Sequence, residues 1–404
     1  MPTFAASILN SSSDSLTISL SGRVTSDNAG KAEEEIAALR TQSPKGKLVL
    51  DVENTEYLSS AGLRVIMRLC KVEGSLRIVN ASPEVYDVFE MTGLTEIMEV
   101  RRAMRHLSVE GCELLGSGAN GDVYRLAKDE MIKVFRPTLS LDDIEDERRV
   151  SRQVFVLGVP CAIPFDTVRC GDCYGTVYEA LDAKTIAECV RENPKTLRRY
   201  AVDSARLLKE LHAIEVPEGA LPPADRTHHS RLDMLTNDFS ADELAVMHGL
   251  LRSLPAMSRF VHNDYHVKNV MDSKGQLMLI DLGDAGAGNP LLDVIHTYFI
   301  CNMMGSGIRD HDKDEMSFVG LTYGELDEFW AAFLPTYCGS EERAARLDDL
   351  LEPWGWLLYL SSSMSHPRLP QQYHAPYAAL MRERVLARTD EMRERAEEMS
   401  ALCG

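Results

Sequence analysis

The first hundred positions alternate between short stretches of strand-like pattern and stretches of helical pattern. Residues 15–20 alternate polar and apolar side chains, as a half-exposed strand does, and residues 47–52 are rich in apolar residues, as a buried strand is. Residues 25–41 and 60–70 carry apolar side chains at helical spacing, and residues 76–79 predict a further strand. This alternation of strands and helices predicts a small layered α/β domain.

A third helix is predicted after Ser82, because serine is a preferred residue immediately before a helix. Pro83 follows it at the first helical position, and Gly93 stands where a helix commonly ends. A short basic junction over residues 101–106 comes next. We therefore assign residues 1–106 to the first domain.

The second part of the chain opens with a glycine-rich loop between two predicted strands. Gly116, Gly118, Gly121 and Val123 fit the spacing G-x-G-x-x-G-x-V, which lets the backbone approach phosphate oxygens. A dinucleotide-binding fold uses similar glycines but opens a helix directly after them. Here a strand, a polar turn and a second strand follow, with Lys133 in the middle of the second. We interpret this lysine as a partner for phosphate oxygens.

Residues 260–284 contain the pattern H-x-D-x-x-x-x-N, followed by an apolar strand that ends in D-x-G. Phosphoryl transfer requires a carboxylate beside the attacking hydroxyl and oxygen ligands that hold magnesium against the phosphates. Asp264 is the candidate catalytic base, and Asn269 and Asp281 are the candidate metal ligands. Residues 273–275 predict the turn of a hairpin that would bring Asp281 alongside the other two.

With these motifs in this order, residues 107–404 resemble the kinase-fold phosphotransferases, and within them the aminoglycoside phosphotransferase and choline kinase branch. That branch has histidine two positions after the catalytic aspartate, as this chain has at His266, whereas protein kinases have lysine there. No A-P-E motif follows the D-x-G. The resemblance implies a two-lobed α+β protein-kinase-like domain that uses ATP and Mg²⁺, with an N-lobe over residues 107–180 and a C-lobe over residues 181–404.

The same resemblance implies roles for residues outside these motifs. Glu147, in the helix predicted after the lysine strand, is the expected partner of Lys133, and Glu145 is the alternative. The backbone around Glu179 and Leu181 resembles the segment that contacts the adenine of the nucleotide.

Two positions depart from the family pattern. Asn263 replaces the usual glycine of the catalytic loop, and Leu282 stands inside the D-x-G motif. Neither position supplies a ligand, so the departures bear on the shape of the substrate side and not on activity.

The first domain resembles the STAS domain, which is the fold of the anti-sigma-factor antagonists. The resemblance rests on the strand over residues 48–52 and on the helix start at residues 59–63, which reads Ser-Ser-Ala-Gly-Leu. It implies a possible protein partner and makes Ser60 and Ser59 candidates for regulatory phosphorylation, with Ser60 at the family's phosphorylated position and Ser59 at a position that is often Asp. The alternative is that Ser60 only caps the helix.

Composition narrows the choice of partners. The chain has 43 basic and 62 acidic residues, for a net charge of −19, which argues against nucleic acid and anionic membranes as partners. The first residues lack the basic start of a signal peptide, so we expect a cytoplasmic protein. The nine cysteines are scattered and should be reduced thiols, with Cys170 and Cys173 flanking a turn and not binding zinc.

Two features of the C-lobe leave alternatives open. Residues 215–230 contain several prolines and histidines and are expected to form an irregular insertion that borders a substrate pocket. The aromatic residues near the C-terminus could line a cationic site, although such residues more often belong to the core; they are Trp330, Trp354, Trp356 and Tyr359.

Three functional hypotheses follow. The favoured one is an ATP-dependent kinase that phosphorylates a hydroxyl of a small-molecule acceptor and is regulated by its STAS domain. The alternative is a partner-switching regulator whose kinase domain phosphorylates a protein. The third is a nucleotide-binding module without turnover, which the intact Lys133, Asp264, Asn269 and Asp281 disfavour.

Overall fold

The computed structural model describes residues 4–12, 14–42, 46–118, 120–303, 313–367 and 369–403. Ala119 of the glycine loop and the first three residues lie outside this set. The chain divides into two compact units, residues 1–107 and 108–404, and each has its own hydrophobic core.

The first unit is a five-stranded sheet with three helices. Its strands are β1 (Ala5–Ser11), β2 (Ser15–Val24), β3 (Lys47–Leu58), β4 (Leu76–Ala81) and β5 (Glu99–Arg102), and its helices are α1 (Ala29–Gln42), α2 (Ser60–Glu73) and α3 (Pro83–Met91). The strand order is β1-β2-β3-β4-β5. Strands β1 and β2 are antiparallel, whereas the later neighbours are parallel, so the predicted α/β layer is confirmed.

The core of the first unit follows the predicted pattern. Leu16, Ile18 and Leu20 are buried on one face of β2, with more exposed residues between them. Helix α3 starts as expected, because the Ser82 hydroxyl accepts a hydrogen bond from the Val85 amide at 3.3 Å. Periodicity therefore identified the buried faces correctly.

The two edge strands of this sheet were not predicted. Strand β1 is almost wholly exposed and so lacks the alternation that marks a half-buried strand. Strand β5 includes Arg101 and Arg102, which we had placed in a basic junction. Arg101 pairs with Glu99 at 2.6 Å, and the Arg102 guanidinium lies 4.2 Å from the centre of the Tyr86 ring. These arginines thus belong to the sheet of the first unit. The short strand β6 (His106–Leu107) follows later in the chain.

The second unit begins with an N-lobe built on an antiparallel sheet. Its strands are β7 (Glu113–Ser117), β8 (Gly121–Arg125), β9 (Glu130–Phe135), β10 (Pro164–Cys170) and β11 (Cys173–Glu179), and its helix is α4 (Leu141–Val156). Within the sheet these five strands follow the order β10-β11-β9-β8-β7. A strand and not a helix follows the glycine loop, which excludes the dinucleotide-binding arrangement. Cys170 and Cys173 lie opposite each other in the strand register, on either side of the predicted turn, and both are free thiols.

The C-lobe is mostly helical. Its helices are α5 (Ile186–Glu192), α6 (Leu197–His212), α7 (Arg226–Asp233), α8 (Ala241–Ser253), α9 (Leu291–Asn302), α10 (Tyr323–Cys338), α11 (Glu341–Ser365), α12 (His374–Arg384) and α13 (Thr389–Cys403). Its short strands are β12 (Lys184–Thr185), β13 (Arg259–Val261), β14 (Val270–Ser273), β15 (Gln276–Leu279) and β16 (Gly286–Gly288). Strands β14 and β15 form the predicted hairpin, with its turn at Lys274–Gly275.

The structure decides one alternative left open in the C-lobe, that of the aromatic residues, and corrects part of a second expectation. Trp330, Trp354 and Trp356 are buried and Tyr359 packs against the same cluster, so these aromatic residues belong to the core. We expected residues 215–230 to be irregular, but residues 226–230 lie in α7, so the expectation was wrong for those residues. No helix within the described residues is both long enough and apolar enough to cross a membrane.

Candidate active site

The glycine loop joins β7 to β8 and is held closed by its own backbone. The Gly118 amide donates to the Gly121 carbonyl oxygen at 2.8 Å. A Cβ atom at Gly121 would lie 2.3 Å from the Val134 carbonyl oxygen, so only glycine permits the close approach of β8 and β9. Arg136 binds the Asp122 carboxylate at 2.7 Å at the end of the loop.

Lys133 brings together two parts of the sequence that are far apart. In β9 its ammonium lies 2.8 Å from Glu147 Oε1 of α4 and 3.0 Å from Asp281 Oδ1. Burial disfavours its charge, but the carboxylates of Asp281 and Glu147 outweigh that effect and raise the pKa of Lys133 above its usual value. Glu145 instead pairs with Arg148 at 2.8 Å, so the structure places Glu147 beside the lysine.

The glycine of the D-x-G motif makes room for this cluster. A Cβ atom at Gly283 would lie 3.1 Å from Cγ of Glu147, a contact tighter than side chains normally tolerate. Asp281 itself has a φ of +59°, in the left-handed region that most residues avoid. Such a conformation persists only where its surroundings hold it, and it is common at functional sites.

The catalytic loop follows β13 and turns sharply at Asn263. This residue has a φ of +66°, which explains why glycine is usual here, and asparagine is among the few residues that tolerate it. Its buried side chain donates to the carbonyl oxygens of Ala224 and Asp284 at 2.7 and 2.8 Å. The departure from glycine therefore adds two hydrogen bonds beside the loop.

Asp264 and Asn269 contact each other directly. Asn269 Nδ2 donates to Asp264 Oδ2 at 2.7 Å and to the main-chain oxygen of Asp264 at 2.9 Å. Removal from bulk water raises the pKa of Asp264 to about 7, and the carboxylates of Asp281 and Asp284 act in the same direction, against the effect of His262. A carboxylate with this pKa is well matched to general base chemistry near neutral pH.

Helix α9 holds this loop with three residues on one face. Asp293, which is fully buried, accepts hydrogen bonds from the amides of His262 and Asn263 at 2.8 and 2.6 Å. Thr297 donates from Oγ1 to the carbonyl oxygen of residue 265 at 3.0 Å. His296 places Nε2 at 3.4 Å from Asp264 Oδ1. Positions 293, 296 and 297 share a helix face because they are three and four residues apart.

Two imidazoles therefore flank the same oxygen of Asp264. His266 Nε2 also lies 3.4 Å from Oδ1, and its ring is stacked on that of His296 with the centroids 6.4 Å apart. Burial lowers the pKa of His266 to about 4 and the pKa of His296 well below its usual value, so both rings are neutral near neutral pH. Sequence analysis missed His296, whose only signal is a polar residue in a mostly apolar helix.

Two further predicted residues lie where the N-lobe meets the C-lobe. Glu179 is the last residue of β11, and its amide donates to the Ile163 carbonyl oxygen at 3.0 Å. Leu181 follows shortly afterwards, before β12. Their role in binding adenine stays a prediction.

The serine that caps α2 in the first unit is not the one we expected. Ser59, and not Ser60, caps α2, because the Ser59 hydroxyl accepts a hydrogen bond from the Gly62 amide at 3.2 Å. Ser59 is buried, whereas Ser60 is exposed at the first helical position. A Cβ atom at Gly62 would lie 2.9 Å from Val24 Cγ1, which accounts for the glycine of this motif. The capping interpretation of Ser60 is therefore wrong.

Comparison with known proteins places both units in families. The sequence model of the phosphotransferase enzyme family (APH) matches residues 111–329, and that of the STAS domain matches residues 8–106. A Bordetella bronchiseptica protein described as an anti-sigma factor antagonist, BtrV, is 41% identical over 87 residues, which cover 20% of this chain and 72% of that protein.

Solved structures with a similar fold include an ADP-bound aminoglycoside phosphotransferase, APH(2'')-Ib. It is 17% identical, with a TM-score of 0.45, and the match covers 69% of this chain and 93% of that one. A choline/ethanolamine kinase family protein from Mesorhizobium loti is also 17% identical, with a TM-score of 0.43, covering 72% and 92% of the two chains.

Proposed function

Because the chain belongs to the phosphotransferase enzyme family and carries a STAS domain before it, we propose that it transfers a phosphoryl group from ATP to a hydroxyl of a small molecule. The observation that supports this most is the convergence of Lys133, Asp281, Asn269 and Asp264, drawn from β9, the catalytic loop and the D-x-G motif, at one site. These are a cation for phosphates, two oxygen ligands and a base, which phosphoryl transfer requires.

The donor set fits Mg²⁺. Asn269 directs its amide nitrogen at Asp264, which leaves its oxygen for a cation, and Asp281 adds a carboxylate. Mg²⁺ prefers oxygen ligands and takes few of them from the protein when it is bound with nucleotide phosphates. The described residues contain no cluster of three or more His, Cys, Asp or Glu that could hold a metal on its own. Bound Mg²⁺ would neutralise phosphate charge at this site.

The protein's own residues would act on the acceptor side. Asp264 accepts the proton of the attacking hydroxyl, and its pKa near 7 keeps an appreciable fraction ionised at neutral pH. Asn269 and the two imidazoles of His266 and His296 fix the orientation of its carboxylate. The amides held by Asp293 keep the loop backbone in place, so the base does not move away from the hydroxyl.

We also propose that the STAS domain regulates the phosphotransferase, with Ser60 as the site of control. Its hydroxyl is exposed at the first turn of α2, where a phosphate would face the positive end of the helix dipole. Ser59 is a poor substrate for a modifying enzyme because it is buried and already bonded to the Gly62 amide.

One observation favours a second candidate, a regulator that phosphorylates a protein. The first unit is 41% identical, over 87 residues, to a protein described as an anti-sigma factor antagonist, and the serine of such a domain is a candidate acceptor. Against it, residues 284–290 alone separate the D-x-G motif from α9, which leaves little chain for a peptide-binding segment.

The deciding experiment supplies labelled ATP and Mg²⁺ to the full-length protein with a panel of amino sugars, amino alcohols and sugars. We expect label on one class of small molecule with the wild type and none with Asp264→Asn. Label on Ser60, or on an added STAS domain, would favour the second candidate. Absence of any transfer, with nucleotide still bound, would contradict both.

A further inference from the structure

A second cleft lies in the C-lobe, apart from the residues of the catalytic site. It has a volume of about 470 Å³ and lies between α6, β13, α10 and α13. Lys209 and Arg259 stand at its rim, and buried polar side chains form its floor: His212, Asn289, Tyr337 and Ser400. Ala213, Met257 and Pro290 add apolar wall.

The charge of this cleft is opposite to that of the protein. The chain carries a net charge of −19, yet none of the described side chains that line the cleft is acidic. Arg259 has one acidic neighbour, Glu215, at 3.4 Å, but that carboxylate is 82% exposed and the pair is correspondingly weak. The cleft is therefore suited to a negatively charged occupant.

The two cations keep unused donors. The Lys209 ammonium donates one hydrogen bond, to the Tyr337 carbonyl oxygen at 3.0 Å, and Arg259 donates from Nη1 to the Ala213 carbonyl oxygen at 3.0 Å. These bonds satisfy the ends of α10 and α6 and hold both side chains in place. An ammonium has three donors and a guanidinium has five, so each can still bind a carboxylate or a phosphate.

A chain of hydrogen bonds joins the floor of the cleft to the catalytic loop. The Tyr337 hydroxyl bonds to His212 Nδ1 at 2.7 Å, and His212 Nε2 donates to Asp293 Oδ2 at 3.0 Å. The same Asp293 carboxylate holds the amides of His262 and Asn263. An occupant that moved Tyr337 or His212 would therefore act on the backbone beside Asp264.

We propose that this cleft is a second binding site for a small organic anion, a carboxylate or a phosphate monoester with a short apolar part. The anionic group binds Lys209 and Arg259, the apolar part packs against Met257 and Pro290, and occupancy changes turnover through His212 and Asp293. Binding is independent of the proposed function, whereas the effect on turnover rests on it.

Phenyl phosphate is a suitable probe, with phenol as its neutral control, in calorimetric titrations of the full-length protein. The test variant is Lys209→Gln with Arg259→Gln, which keeps a donor for each helix carbonyl, and the matched control is Lys195→Gln with Arg198→Gln on an exposed surface. We expect the test variant to bind at least about tenfold more weakly, the control to bind as the wild type does, and phenol not to bind. Equal binding by the two double variants, or no binding by the wild type, would overturn the proposal.

Two further variants keep the test decisive if the glutamine pair disturbs the fold. Met257→Glu adds a negative charge at the half-exposed wall and leaves both cations in place, and Met257→Gln is its neutral control. We expect only the glutamate to weaken binding. Lys133→Ala should not change it, and a loss there would place the probe in the catalytic site and refute the second site.

The effect on turnover is measured separately. With an acceptor in hand, saturating phenyl phosphate should change kcat of the wild type and leave the double glutamine variant unaffected. Binding with unchanged kcat would refute the coupling through His212 and leave the site itself standing. Absence of phosphotransfer under all conditions would count against the proposed function and not against the anion site.

Discussion

The catalytic loop and the start of helix α2 differ in how far their polar groups are hydrogen-bonded and how far they are exposed. Asp293 of α9 accepts hydrogen bonds from two backbone amides of the loop, and Asn269 donates to the Asp264 carboxylate, so the loop and its carboxylate have fixed partners. At α2, Ser59 is buried and bonded while its neighbour Ser60 is exposed. Fixed geometry suits the base proposed at Asp264, whereas access to solvent suits the modification proposed at Ser60.

The largest effect is expected from Asp264→Asn. The amide has nearly the same shape and can still contact Asn269, but it cannot accept the hydroxyl proton. We expect turnover to fall by about 10²–10⁴-fold, while the dissociation constant for ATP stays nearly unchanged. Steady-state kinetics together with nucleotide titration would check this, and a loss of less than about tenfold would show that Asp264 is not the base.

Asp293→Ala, in helix α9, should be the most destabilising of these single changes. It removes one fully buried carboxylate and leaves the amides of His262 and Asn263, as well as His212 Nε2, without their acceptor. We expect the free energy of unfolding to fall by about 3 kcal/mol or more.

Denaturant unfolding of the second unit would measure this loss. Asp203→Ala is the control, because that carboxylate forms only a surface pair with Arg206 at 3.7 Å. Similar losses in both variants would contradict the view that α9 holds the loop.

His296 is expected to be a positioning residue, with a smaller effect on turnover. His296→Gln keeps a donor near Asp264 Oδ1, whereas His296→Leu removes it at similar size. We expect the leucine variant to lose about ten- to hundredfold in kcat with little change in KM, and the glutamine variant to recover part of the loss. If both variants lost stability and KM changed as much as kcat, His296 would only be part of the core.

How far the sequence predicts this site depends on whether spacing alone carries the information. Lys133, Asp264, Asn269 and Asp281 were predicted because each lies in a short motif whose residues are joined by one turn or hairpin. His296 was not, because its contact with Asp264 forms only when α9 packs on the loop, and no local pattern records that packing.

The fold shows the same limit. Strand β2 was predicted because one of its faces is buried, whereas β1 lies at an exposed edge where hydrophobic alternation is absent. The predicted position of the α2 cap was wrong by one residue. Both Ser59 and Ser60 are good capping residues, and only the observed hydrogen bond distinguishes them.

The smallest effects are expected at this serine pair, and they separate capping from regulation. Ser59→Ala removes the bond to the Gly62 amide and should lower the free energy of unfolding of the first unit by about 1 kcal/mol. Ser60→Ala should change it by less than about 0.5 kcal/mol, because the Ser60 hydroxyl is exposed and does not cap the helix. Thermal unfolding of the two variants side by side measures this difference.

If regulation acts through Ser60, a charged substitution there should change the kinetics of the enzyme without changing its stability. Ser60→Asp adds one negative charge, where phosphate would add nearly two, so it should shift kcat or KM of the full-length protein in the direction of phosphorylation but by less. Ser60→Asn is the uncharged control of the same size. Equal kinetics in the wild type and both variants, with no phosphate found at Ser60 in cells, would leave the exposed hydroxyl without a regulatory role and restrict the STAS domain to binding a partner.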